Sequence, residues 1–260
     1  MIYDAVISIS KLARMLGGGQ MGRDGTMQEY SINSQYLNEE MTLNVYTPKN
    51  FSPLYKYHFC IMQDGNDYFQ MGRAATLSDQ LHADKEIENT IFIGIHYHDK
   101  FDRRDKYHPD GKRQGDYVNF LVREVVPFLD EELPGFYMGN GRTLVGDSLA
   151  GTLALMTATR FPNVFGNVIM QSPYVDPHVM EVVKTVRDLS SLSIYHTIGN
   201  KETSVNTTDG ATKDFLKPNL NLKEYLSHQP LSYVFHELDG DHTWKSWQQD
   251  LKRALQTIFG

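Results

Sequence analysis

The sequence predicts an α/β protein with a mostly parallel, eight-stranded sheet and helices on both faces. Three observations predict it. Eight short apolar runs of strand character recur along the 260 residues, and from the third onward helix-like segments alternate with them. A serine flanked by small residues also stands at one of the strand-to-helix corners. Alternation of this kind means parallel strands joined by crossover helices.

The strand-like runs are residues 27–32, 42–46, 57–63, 90–96, 142–146, 166–171, 192–198 and 231–237. The first two are joined too closely for a helix, so they are expected as an antiparallel pair at the sheet edge. The helix-like segments are residues 73–85, 116–132, 149–160, 177–189, 211–227 and 243–258. In the second of these, apolar residues fall at helical spacing, so one face should pack on the sheet. Asp116 is placed to cap its start, and Pro127 predicts a kink or break within it. The stretch from His96 to Gly115 reads as a long loop of mixed charge leaving the C-terminal end of a parallel strand. Ligands bind at that edge of open α/β sheets, so the loop is expected to help build the pocket. The interval 172–191 has room for one helix, so no large lid domain is expected. With no linker, repeat or low-complexity tract, residues 1–260 read as a single α/β domain.

Composition excludes several classes. A net charge of -7 argues against a dedicated nucleic-acid binder. No apolar run approaches the roughly 20 residues needed to span a bilayer, so no membrane role is expected. The N-terminal stretch 1–8 carries an acid early and lacks the form of a secretory signal. The one cysteine, Cys60, rules out an internal disulfide and reads as a buried strand thiol in a reducing, cytoplasmic setting. Gly17-Gly18-Gly19-Gln20-Met21-Gly22 matches G-x-G-x-x-G, but a strand-like run follows it where a dinucleotide site needs a helix, so it is read as a connector. His96-Tyr97-His98 has no further ligand at recognisable spacing, and no metal or organic cofactor is expected.

The chemistry centres on Gly146-Asp147-Ser148-Leu149-Ala150-Gly151. Small residues allow the sharp strand-to-helix turn that pushes a serine hydroxyl out of a sheet toward substrate. The hydroxyl is a weak nucleophile until a histidine takes its proton. His242, in the turn after the last strand, reaches the same sheet edge and fills that role. The acid that orients it should follow the strand 192–198. Glu202 lies three residues past Gly199, and Asp209 is its competitor. An oxyanion hole needs two N–H groups, one from Leu149 and one from the turn Gln63-Asp64-Gly65-Asn66, placed at Asn66 with Gly65 turning the backbone toward substrate.

These motifs, with Gln63-Asp64-Gly65-Asn66-Asp67-Tyr68-Phe69, the segment 120–128 and Gly240-Asp241-His242-Thr243-Trp244, resemble the esterase D-like branch of the α/β-hydrolases, also called the putative esterase family. The resemblance runs from about Thr42 to the C-terminus. The family usually has glycine where Ala150 stands and an aspartate where Glu202 stands. The resemblance implies a serine carboxylesterase acting on a small-molecule ester, with siderophore, feruloyl and acetyl-xylan esterases as relatives. Arg103 and Arg104 then have two readings. They hold an anionic or catecholate acyl group, or they pair with Asp102 and Asp105 on a solvated loop. A catalytically silent ligand- or partner-binding relative, and an acyltransferase on the same triad, are the other functions such a sequence permits. Oligomeric state is not legible.

Overall fold

The structure, a computed structural model, describes residues 14–15 and 24–260. The stretch 1–8 and the connector 17–22 lie outside the described residues. The first half runs β1 (Arg14–Met15), β2 (Thr26–Ser34), β3 (Glu39–Thr47), β4 (His58–Gln63), α1 (Gly65–Gln70), α2 (Ala74–Ala83) and β5 (Thr90–Ile95). Then come α3 (Lys100–Tyr107), α4 (Gln114–Phe120), a π-helical turn (Leu121–Val125) and α5 (Val126–Glu132). After a 3-10 turn (Gly139–Gly141) follow β6 (Arg142–Asp147), α6 (Ser148–Arg160), β7 (Asn167–Gln171), α7 (Pro177–Thr185) and β8 (Ser193–Gly199). The chain closes with β9 (Val205–Asn206), β10 (Thr212–Lys213), α8 (Leu216–Ser227), β11 (Ser232–Leu238) and α9 (Trp244–Phe259).

All eight expected strands are present and lie side by side in one sheet of order β1-β2-β3-β5-β4-β6-β7-β8-β11, with β1 as a ninth at the edge. Strands β5, β4, β6, β7, β8 and β11 pair in parallel, β1, β2 and β3 join antiparallel, with β2–β3 the pair that the short first connection required, and β9 and β10 form a separate antiparallel hairpin. Successive residues of the central strands point to opposite faces. Ile61, Leu144, Val168 and Ile194 therefore enter one buried core, and their neighbours Met62, Val145, Ile169 and Tyr195 enter the other. Cys60 is fully buried, and burial pushes its thiol well above the ordinary range. Among the described residues, no helix is long and apolar enough to cross a membrane.

Three expectations are corrected. The stretch from His96 to Gly115 is not a loop, because α3 forms within it. Asp99 caps that helix by accepting from the Phe101 and Asp102 amides at 2.7 and 3.0 Å. Asp102 reaches back to the His98 amide at 3.0 Å, in the manner of a capping box. Its charged surface hid the apolar period that marks other helices. Residues 212–213 are strand rather than helix, because Asp209 accepts from Thr207 Oγ1 and the Ala211 amide and Gly210 turns at φ +82°. The 116–132 helix begins two residues early, with Asp116 in its first turn rather than at the cap. Pro127 does not break it. The Val126 N–H bonds back to the Leu121 carbonyl, and the π turn widens the helix just before the proline.

Candidate active site

The parallel register aligns the strand ends that carry the site. Asp147 pairs with Gln171, Gln171 with Thr197, and Gly199 with Leu238. The residues that follow β6, β7, β8 and β11 therefore emerge side by side at one sheet edge. Ser148, Ser172, Glu202 and His242 come from these four turns.

Ser148 opens α6 at φ +51°, the left-handed region that a side chain with Cβ seldom adopts. The corner is held by close backbone packing. A Cβ on Gly146 would lie 2.3 Å from the Ala150 carbonyl carbon, so only glycine fits under the first turn of α6. His242 Nε2 lies 2.9 Å from Ser148 Oγ, and His242 Nδ1 lies 2.6 Å from Glu202 Oε2. The imidazole sits between the Phe215 ring at 4.5 Å and the edge-on Trp247 ring at 4.9 Å, which leaves it little lateral freedom.

Glu202 is buried, and its second oxygen is also held. Oε1 accepts from Ser172 Oγ at 2.6 Å and from the Gly199 amide at 2.8 Å. Trp247 Nε1 donates to Ser172 Oγ at 3.0 Å. Three contacts, to the Ser172 hydroxyl, the Gly199 amide and the His242 ring, thus fix the orientation of the Glu202 carboxyl. Asp209, the competitor, lies in the β9–β10 turn, where Thr207 and the Ala211 amide hold its carboxyl down at about 2. It makes no hydrogen bond to His242. Ser172 and Trp247 were not legible in this role, because the contacts of Ser172 with Glu202 and of Trp247 with Ser172 exist only after folding.

Leu149 and Asn66 both occupy the first turn of a helix, where amides lack an intrahelical partner. The parallel pairing of β4 with β6 sets those two helix starts next to each other. Gly65 does not supply the turn as expected. Asp64 takes the left-handed conformation at φ 58°, while Gly65 is needed because a Cβ there would lie 2.3 Å from Gly94 Cα.

A cavity of about 140 Å³ opens over Ser148 and His242. Its lining includes Arg104, His108, Tyr174, Lys213, Phe215 and the turn 205–209. The β7–β8 connection carries only α7, as expected of a chain without a large lid. The β9–β10 hairpin contributes to the pocket lining. Neither arginine pairs as the solvated-loop reading required. Asp102 is engaged by Lys106 and Arg113, and the Arg103 guanidinium lies on Asp64. Arg104 makes no ion pair with another described residue. Its charge, after burial, holds the neighbouring His108 below its usual value.

Residues 34–258 match the family model described as Putative esterase. The chain belongs to the putative esterase family. Membership makes it a carboxylic ester hydrolase whose substrate is a small-molecule ester. This esterase is 52% identical over 237 residues to YjcH of Bacillus subtilis (strain 168), described as an uncharacterized protein, covering 91% of this chain and 99% of that one. It shares its fold with a ferulic acid esterase (TM-score 0.72, 17% identity, covering 92% of this chain and 99% of that one). The BES protein from Bacillus cereus has the same fold (TM-score 0.73, 18% identity, 94% and 97% covered). So does the enterobactin esterase FES from Shigella flexneri (TM-score 0.76, 19% identity), of which the match covers 58% against 89% of this esterase.

Proposed function

We propose that this esterase is a serine carboxylesterase that works through an acyl-enzyme. The observation that carries the reading is the unbroken run of hydrogen bonds from Ser148 Oγ through His242 to Glu202. His242 Nε2 takes the hydroxyl proton as Ser148 Oγ attacks the ester carbonyl, and Glu202 stabilises the imidazolium that forms. The Leu149 and Asn66 amides receive the negative charge on the carbonyl oxygen. The tetrahedral adduct collapses, the imidazolium protonates the departing alkoxide, and water repeats the sequence on the acyl-serine. The short distances at both ends of His242 favour this reading over a silent relative that only binds.

The proposed substrate is a soluble ester with an aromatic or small acyl part, of the phenolic or siderophore kind. Tyr174 and Phe215 offer ring faces beside Ser148, and Arg104 with Lys213 offers positive charge for an anionic or catecholate group. The names of the structural neighbours, a ferulic acid esterase and an enterobactin esterase, support the same class.

A fluorophosphonate probe and a panel of acetyl, longer acyl, feruloyl and siderophore esters test the reading. Wild type is expected to label at one serine, and Ser148→Ala to lose both label and turnover, by about 10⁶ in rate. A folded wild type that does not label, or a Ser148→Ala variant that retains hydrolysis, overturns it. Adding alcohol acceptors separates hydrolysis from acyl transfer by product.

A further inference from the structure

Arg103 lines the pocket, yet its guanidinium does not stand free to meet a substrate. Nε lies 2.9 Å from both oxygens of Asp64, and Nη2 lies 2.5 Å from Asp64 Oδ2. Nη2 also reaches the Asp147 carbonyl oxygen, at 3.4 Å. The guanidinium carbon sits 5.8 and 5.6 Å from the Tyr97 and Tyr107 ring centroids, which fixes its plane. Its side chain is 13% exposed and that of Asp64 is 2% exposed.

The two turns it touches, one through the Asp64 carboxylate and one through the Asp147 carbonyl, are those from which the proposed oxyanion donors issue. Asp64 is the left-handed residue between β4 and α1, and Asn66 follows it by two positions. Asp147 is the last residue of β6, and its carbonyl belongs to the peptide that enters Ser148, one residue before Leu149. The anchor itself is rigid, because α3 is held from below. Lys106, fully buried, pairs with Asp102 at 2.7 Å and with Glu39 at 2.5 Å. We infer that Arg103 is a positioning residue of the esterase reaction, which holds the β4–α1 and β6–α6 turns in register so that the Asn66 and Leu149 amides converge on one oxyanion. The inference rests on the serine-esterase reading above.

The local charge balance explains why an arginine stands there. Asp64 is buried, and a buried carboxylate without a partner is costly. The Asp147 carboxyl lies close by, with its Oδ1 unpartnered among the described residues. Burial, and then the Asp64 charge, raise its pKa well above the ordinary carboxylate range. One guanidinium thus stands beside two buried carboxyls. Without Arg103, the Asp64 turn loses both its counter-charge and its geometric tie. The loss should fall on kcat, because an oxyanion contact is made in the transition state and not with bound ester.

The test compares Arg103→Gln and Arg103→Lys with wild type on neutral p-nitrophenyl acetate and anionic p-nitrophenyl hemisuccinate. Rates are taken per active site titrated with the fluorophosphonate. Arg103→Gln is expected to lower kcat about 10- to 100-fold on both esters, with KM held within about threefold. Arg103→Lys keeps the charge without the planar fork and should fall between the two; it also serves if the glutamine variant does not fold. A rise in KM confined to the anionic ester makes Arg103 a substrate anchor and overturns the inference. An unchanged kcat per titrated site in both variants makes it merely structural and overturns it too. Backbone amide resonances read the same claim without turnover. Those of Asn66 and Leu149 are expected to shift in the Arg103 variants, and unshifted resonances overturn the inference even if the serine reading stands. Failure of that reading shows instead as wild type that does not label.

Discussion

The Ser148 corner and the 200–215 segment meet at the same imidazole but are built in opposite ways. The corner is a backbone device. Its glycine touches main chain, its serine holds a positive φ, and most residues around it are buried. The 200–215 segment is buried only where Glu202 and Phe215 turn inward, and its hairpin is polar and largely exposed. The corner is thus held by close main-chain packing, while the hairpin that lines the pocket is held by side-chain hydrogen bonds. On the proposed serine-esterase reading, the first sets rate and the second chooses substrate.

After the loss of Ser148 itself, breaking the buried half of the second region should have the largest effect. Glu202→Gln keeps the shape but loses the charge that supports the imidazolium, and kcat is expected to fall by about 10³ to 10⁴. Asp209→Asn, on the exposed half of the same segment, should change kcat by less than about threefold. Steady-state kinetics on one neutral ester compares the two directly, and equal losses would erase the distinction.

Next in size is the corner itself. Gly146→Ala drives a Cβ into the Ala150 main chain, at a cost of about 2–3 kcal/mol. Thermal denaturation should show Tm lower by about 5–10 °C. A Tm within experimental error of wild type would mean that the corner can relax after all.

The residue between Gly146 and Ser148 gives a pH-dependent test. Because the native Asp147 carboxyl is raised, the folded state keeps a proton that the unfolded state releases above about pH 4. Its contribution to stability is therefore greatest at low pH and falls as pH rises toward the native value. Asp147→Asn removes that dependence. The Tm difference, variant minus wild type, should grow from pH 4 to pH 8, whereas a flat difference would place an ionised Asp147 in the native state.

The smallest effect belongs to the rim. Arg104→Gln should raise KM for the anionic hemisuccinate ester about two- to fivefold relative to the neutral acetate, with kcat little altered. Equal KM values for the two esters in wild type and variant would remove Arg104 from substrate selection.

Much of this was legible beforehand because it depends on local pattern. Strands such as 142–146 alternate between the two cores, and chain order alone placed Ser148, a carboxylate and His242 after three strands that end at one sheet edge. What was missed had no local period. Helix α3 is charged almost throughout, and its cap at Asp99 was its main signal. Arg103 stood among so many charges that only its distance to Asp64 could single it out. Ser172 reaches Glu202 across 30 residues of chain and Trp247 reaches Ser172 across 75, so no spacing could announce them.

By itself the sequence determined the α/β class, the order of strands and helices, the serine corner and the histidine turn, because hydrophobic period and backbone sterics act within a few residues. The tertiary structure put Glu202 rather than Asp209 against His242, laid the Arg103 guanidinium on Asp64, and brought residues of the β9–β10 hairpin into the pocket lining. Those outcomes depend on which charges and donors are brought within about 3 Å of one another, and burial at a shared sheet edge is what brings them there.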